Sequence, residues 1–381
     1  MGAKWHLPGV TELNQLVEDS ILIQPAGGAG NIVAVQEAGF INKLNGYLEA
    51  QVLQTVAAVA PAKSIYGPLG GTLRRLQVSV AGRKPFFDLS GLGLAYYNEV
   101  ANPDASVMAP PAFLAAANEE VIVEGTHLTA HTAGAAGVQT YNLRRPFELN
   151  FGIPVWMTRL LAMGKDYIPV MSEEEVGLWY LQERKTKLNI EADFYPSSVA
   201  AGPLAPYFGA GVTSTYSPTV NHLRFERELF SVPPDTDAWP DQGYVHQVIE
   251  YTTPIAGNTF DFPIPQVGSL LRAMFIPLDA NGLQVQWTDL THLRMRYGAS
   301  DTPIDRPGWA LVSDYEHDYG RYPPTGLVVL DFYKEGLRAA RLARDTDRVA
   351  NLAFQGDFTA TATGQVRIIL ESLVPQEIQV A

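Results

Sequence analysis

Several groupings of histidines and carboxylates in this sequence have types and spacings that could do chemistry. His127 and His131 form an H-x-x-x-H pair. On a helix both rings would share a face and could bind a metal, but three protein ligands are normally required. The flanking Gly125-Thr-His-Leu-Thr-Ala-His-Thr-Ala-Gly134 has loop or strand composition and places no acid between them. Surface or interface histidines are the expectation. Asp314, Glu316, His317 and Asp318 crowd oxygen ligands as calcium sites do, yet the EF-hand spacing is missing, so a solvated loop is expected. Asp301 with Asp305, and Asp235 with Asp237, could be paired carboxylates for glycoside hydrolysis. Each stands close to proline, which favours turn chemistry.

Other catalytic signatures are missing. Neither Gly67-Pro-Leu-Gly-Gly71 nor the run from Gly27 to Gly30 is followed by the Lys-Ser/Thr of a phosphate loop, and there is no G-x-S-x-G elbow. Cysteine is absent, which excludes disulfides, thiol nucleophiles and Cys-ligated zinc. Trp156, Trp179, Trp239, Trp287 and Trp309 could stack sugars, but large aromatics in a β-rich chain are more often core or interface. No catalytic, cofactor or metal residue is assigned. Lys334, Arg338, Arg341 and Arg344 make a basic stripe at helical spacing, suited to a solvated face or a subunit contact.

The elements that would position these residues are mostly strands. Across 381 residues, 33 glycines and 27 prolines are spread evenly, which suits short strands and turns. In residues 72–81, Leu76, Val78 and Val80 alternate with Arg75, Gln77 and Ser79. Residues 186–194 and 365–371 repeat the pattern, with Ile369 the exception. Such alternation marks antiparallel strands with one face on a core. Helices are expected at Val10, Leu13, Val17 and Ile21, at residues 172–183 behind a Ser172/Glu175 capping box, and at residues 334–344.

The chain also echoes itself. The strand beginning at Gly71 resembles one beginning at Gly268, and an expected strand over residues 92–97 resembles one over 293–297. Each half closes on a similar phrase, Leu188-Asn-Ile-Glu-Ala-Asp-Phe194 and Leu352-Ala-Phe-Gln-Gly-Asp-Phe358. The expected division is an arm (1–40), a first domain (41–205), a linker (206–222) and a second domain (223–381). The net charge of −13 disfavours coating nucleic acid. No signal-peptide core and no 18-residue apolar run is present, so a soluble chain made in the cytoplasm is expected.

The order Ala38-Gly-Phe-Ile-Asn-Lys-Leu-Asn45, Gly67-Pro-Leu-Gly-Gly-Thr-Leu-Arg-Arg-Leu-Gln-Val-Ser-Val80 and Leu92-Gly-Leu-Ala-Tyr-Tyr-Asn-Glu-Val-Ala101 resembles the first barrel of double jelly-roll major capsid proteins. These come from tailless, membrane-containing icosahedral phages of the tectivirus type and are related in fold to adenovirus hexon. The resemblance spans about residues 38–375. It implies an all-β chain of two consecutive eight-stranded jelly rolls with a few short helices. It further implies homotrimers of pseudo-hexameric outline, a trimer lattice, penton and minor capsid partners, and residence in the virion. The N-terminal arm would then lie on the inner side, with Trp5, Val10, Leu13 and Val17 near an internal membrane, and residues 103–141 and 299–324 would form outer towers. A secreted two-domain β-sandwich that binds or cleaves carbohydrate is the alternative.

Overall fold

The computed structural model describes residues 12–24, 26–35, 38–56, 67–80, 83–101, 137–154, 175–176, 178–181, 187–196, 213–232, 244–265, 268–280, 284–298, 301–324, 326–332, 351–359 and 364–375. The chain separates into two compact units. The N-terminal unit combines Glu12–Asn150 with Leu181–Ser231, and the C-terminal unit combines Phe151–Tyr180 with Val232–Ala381.

In the N-terminal unit the chain forms β1 (Glu12–Leu16), β2 (Ile21–Leu22), β3 (Gly28–Ala29), β4 (Val33–Val35), β5 (Gly39–Val56), α1 (Gly67–Thr72), β6 (Leu73–Val80), β7 (Phe87–Leu89), α2 (Gly91–Ala101) and β8 (Gly137–Asn150). Short strands β9 (Ile153–Pro154), β10 (Glu175–Val176) and β11 (Trp179–Leu181) then lie in the stretch up to Tyr180 that belongs to the C-terminal unit, after which β12 (Leu188–Phe194) and β13 (Thr213–Phe230) complete the N-terminal unit. One sheet places β13 between β1/β2 and β5, with β8 beyond β5; the other runs β7-β6-β12 and ends on β3 and β4. All these pairs are antiparallel. The two sheets bury Leu44, Leu48, Phe147, Leu149 and Phe225 from one, and Leu76, Val78, Ile190 and Phe194 from the other. Phe147 and Phe225 meet edge to face at 6.2 Å.

The C-terminal unit continues with β14 (Tyr244–Ile255), β15 (Thr259–Pro263), β16 (Ser269–Asp279), β17 (Leu290–Tyr297), β18 (Asp301–Arg306), α3 (Gly308–Tyr319), β19 (Val328–Asp331), β20 (Ala353–Phe358) and β21 (Gly364–Pro375). Its sheets run β14-β21-β16-β19 and β15-β20-β17-β18. Between them lies a core containing Phe260, Phe275, Leu293, Phe354, Val366, Ile368 and Leu370, with Phe275 edge-on to Phe354 at 5.0 Å.

Lettering the strands B to I in chain order exposes one topology in both units. In the C-terminal unit β14 to β21 are B to I, giving sheets B-I-D-G and C-H-E-F. The N-terminal unit repeats this order if β1/β2 is B, β3/β4 is C, β5 to β8 are D to G, and β12 and β13 are H and I. A helix joins F to G in each, α2 in one and α3 in the other. This is the eight-stranded jelly roll, two four-stranded sheets face to face.

Several expectations change on this frame. The similar closing phrases are indeed equivalent, both being strand H. The Gly71 strand is E, however, whereas the Gly268 strand is D. Residues 92–97 are helix, not strand, so they do not match β17. Every residue from 91 to 100 is buried, which removes the two-sided contrast that betrays a helix. Its start is set by Ser90, whose Oγ accepts the Gly93 N–H at 3.0 Å. Leu13, Val17 and Ile21 do not form a helix: β1 and β2 pair with β13, so the supposed arm supplies strands B and C. The capping-box segment at 172–183 is strand where it is described, at β10 and β11. The interval 206–222 enters β13 at Thr213. Residues 299–324 include β18 and α3, so they are not an irregular tower, while residues 102–136 lie outside the described residues.

A small-residue position recurs at the start of both FG helices. A Cβ on Gly91 would stand 2.1 Å from the Leu69 carbonyl oxygen, and one on Gly308 would stand 2.2 Å from that of Trp287. In each case the helix starts against a short helical segment that precedes strand E, α1 in one unit and Trp287–Asp289 in the other. Gly91→Ala and Gly308→Ala should each cost about 1–3 kcal/mol or more, because backbone must move. Gly257→Ala, where φ is +59° and the space is open, should cost about 1 kcal/mol. Urea unfolding of the three variants checks this ranking.

Candidate functional site

The densest polar construction among the described residues lies in the C-terminal unit, on the face of β14-β21-β16-β19 that points away from its core. Strand β21 is central and alternates Val366, Ile368 and Leu370 into the core with Arg367, Ile369 and Glu371 on the other face. Ile369 is fully buried, so this second face is dry as well. A carboxylate placed there must find charged partners or lose its charge.

Glu371 has two. Arg272, directly opposite on β16, engages it with both ends of its fork: Nε lies 2.6 Å from Oε2 and Nη2 donates to Oε1 at 3.1 Å. From the opposite neighbour β14, His246 Nε2 lies 3.0 Å from Oε1. Burial alone would push the Glu371 carboxyl up, but the Arg272 charge and the His246 contact outweigh it and hold it at about 2. On its other side Arg272 stands across from Asp331 of β19. Asp331 accepts the hydroxyl of Tyr319, at the end of α3. Burial pushes the Tyr319 phenol up; the Arg272 charge opposes this and Asp331 adds to it. A polar series therefore spans all four strands and reaches the helix.

There it borders a cavity of about 340 Å³ between β18, α3 and β19, lined by Asp305, Arg306, Asp314, Tyr315, Tyr319 and Asp331 among others. The carboxylates in its wall are engaged. Arg306 Nη2 lies 2.9 Å from Asp314, and Asp305 lies 2.8 Å from His292 and 3.3 Å from Arg294. Slight burial raises the Asp305 carboxyl, but the His292 and Arg294 hydrogen bonds hold it below the usual range. The group of acids around His317 is not a loop: it lies on α3. Asp301 and Asp305 share one strand four residues apart, about 13 Å. Glycosidase carboxylates stand about 5–9.5 Å apart, so this pair does not fit. The geometry ties strands together and does not aim groups at a reacting atom.

Of the other residues singled out by sequence, Trp179 is buried, Trp287 packs on the core, and Trp309 is 64% exposed. Leu13 lies in β1, and Val17 is buried with its N–H donated to the Phe225 carbonyl at 2.9 Å. Trp5, Val10, His127, His131, Trp156, Asp235, Asp237, Trp239, Lys334, Arg338, Arg341 and Arg344 lie outside the described residues. Sequence inspection missed the Arg272–Glu371–His246 triad because its members are far apart in the chain. The one local hint was Ile369, the break in alternation that showed β21 to be buried on both faces.

Glu371→Gln should cost about 3–5 kcal/mol at neutral pH, since it leaves Arg272 buried without its counter-charge. The Arg272→Met/Glu371→Leu double variant should recover much of this. The pH dependence has a definite sign. A carboxyl depressed from 4.5 to about 2 contributes stability that is complete above pH 4.5 and is lost as pH falls toward 2. The gap between wild type and Glu371→Gln should hold from pH 7 to about 4.5 and then close, as measured by denaturant unfolding at each pH.

No family model matches the chain, and no curated protein is similar in sequence. Solved structures are similar over almost its whole length. The STIV MCP shares 14% identity at a TM-score of 0.59, covering 97% of this chain and 99% of that one. The Faustovirus major capsid protein shares 9% at 0.55, covering 96% and 90%. The major capsid protein P2 of bacteriophage PM2 shares 11% at 0.51, covering 96% and 98%. With B-I-D-G and C-H-E-F sheets in both units and these neighbours, the chain has the double jelly-roll fold of viral major capsid proteins.

Proposed function

We propose that this chain is the structural major capsid protein of an icosahedral virus, a building block of the virion and not an enzyme. The observation that carries this is the repetition of one strand order in two units of a single chain. Three copies then present six similar jelly rolls, so a threefold object can take six neighbours in a closed shell. Likeness to capsid proteins over nearly the full length of both chains supports it. The assembly unit is a homotrimer of pseudo-hexameric outline, made in the host cytoplasm, that builds a lattice with penton and minor capsid proteins. Nucleic acid is not a direct partner of a chain with a net charge of −13.

Two finer assignments belong to this proposal. The residues before β1, with Trp5 and Val10, contact an internal membrane, and the stripe Lys334, Arg338, Arg341 and Arg344 contacts a neighbouring subunit. A secreted carbohydrate-binding sandwich is not favoured. Of the described tryptophans Trp179 is buried and Trp287 packs on the core, which leaves no row of exposed rings to stack a sugar.

Light scattering of the purified chain across a dilution series tests the assembly unit. Three chains of 41.6 kDa give about 125 kDa, and a mass that holds on dilution is expected. A stable monomer would count against the capsid assignment. Reversing the basic stripe to glutamate should weaken assembly while leaving the unfolding midpoint unchanged, since rim charges act on association more than on folding.

A further inference from the structure

We infer that the cavity bounded by β18, α3 and β19 binds a linear aliphatic polyamine, which bridges these three elements as a structural ligand of the C-terminal unit. The site lies within that unit alone and does not depend on the capsid assignment.

The cavity, about 340 Å³, is at the small end of the range for ligand sites, roughly 300–1,000 Å³. Its wall is divided by chemistry. Ile304, Leu311, Val329 and Phe332 supply an apolar lining. Tyr315 and Tyr319 add two rings stacked at 4.3 Å, aromatic surface of the kind that attracts cations. The charges are one-sided: Asp305, Asp314, Asp318 and Asp331 face Arg306 alone. Arg306 is engaged with Asp314 at 2.9 Å. The cations behind the wall are shared with other acids. Arg294 lies 3.3 Å from Asp305 but 2.7 Å from Asp357. Arg272 stands across from Asp331 but is held by Glu371 at 2.6 Å. The wall therefore sets an excess of negative charge around an apolar-lined space, and a cation with an apolar body answers both features.

The placement of the acids selects among cations. Among the described residues no three histidines or carboxylates are grouped so as to hold a metal ion, so a point charge is not what they suit. Instead they are spread over β18, α3 and β19. Asp314 and Asp318 are four residues apart on one helix, hence on one face and about 6 Å apart along its axis. Ammonium groups separated by short runs of methylenes match such a ladder, with the methylenes lying on Ile304, Leu311 and Val329. The ion pairs that fasten β18 from outside, His292 with Asp305 and Arg306 with Asp314, are half-exposed and contribute little. A cation that ties β18 to α3 and β19 in the folded state alone stabilises the unit by mass action.

Thermal unfolding and titration calorimetry of the full chain with spermidine, at fixed ionic strength, test this. Binding of one triamine per chain is expected, with a rise in the unfolding midpoint that neither sodium chloride nor magnesium chloride of equal ionic strength reproduces. Asp318→Asn should weaken binding at least about tenfold, the loss of one charge-assisted hydrogen bond. Asp261→Asn removes an exposed acid on β15, outside the cavity, and should leave the affinity unchanged. Ile304→Trp fills the space with no change of charge and should abolish binding, so the site is tested even where Asp318→Asn does not fold. No heat of binding, equal stabilisation by magnesium chloride, or equal weakening by Asp261→Asn would each overturn the inference and make the cavity a water-filled gap. The mass in solution of the same samples tests the capsid assignment separately.

Discussion

A strand with water on neither face must satisfy its charges inside the sheet, and β21 imposes that condition on the C-terminal unit. Its core face is apolar and its other face is equally dry, yet that face carries Glu371. The carboxylate is tolerable because the strands on either side deliver Arg272 and His246 to it. This arrangement also sets register. A one-residue slip of β21 would turn Glu371 into the Phe275–Phe354 core and bring Leu370 beside Arg272, so every misregister carries an unpaired buried charge.

The N-terminal unit reaches the same topology with different chemistry. Its FG helix is clamped, not left at a flank: Asn98 Oδ1 accepts the Glu148 N–H at 2.6 Å, and Arg145 lies 3.3 Å from Glu99 in a buried pair between β8 and α2. What the two units share is spatial and not ionic. They keep the order of strands, a helix between F and G, and a glycine where that helix starts. Charge pairs have diverged while a close backbone approach has stayed, because a pair can be replaced by another pair but a Cβ cannot be fitted at about 2 Å from a carbonyl oxygen.

Much was legible in the sequence where a strand has one wet face. Residues of β6 and β12 alternate cleanly, and the two H strands carry a phrase similar enough to match by eye. The all-β class and the internal repeat followed from that local information. Tertiary structure alone decided the rest. It made residues 91–101 a helix, assigned the first strands to B and C of a barrel, and paired Gly268 with a D strand where the sequence suggested an equivalent of E. It also assembled Arg272, Glu371 and His246. The reason is the same throughout. Periodicity in a sequence records the difference between two faces of an element, so it vanishes when both are buried, and the choice of strand partner is made by residues hundreds of positions apart that no local pattern connects.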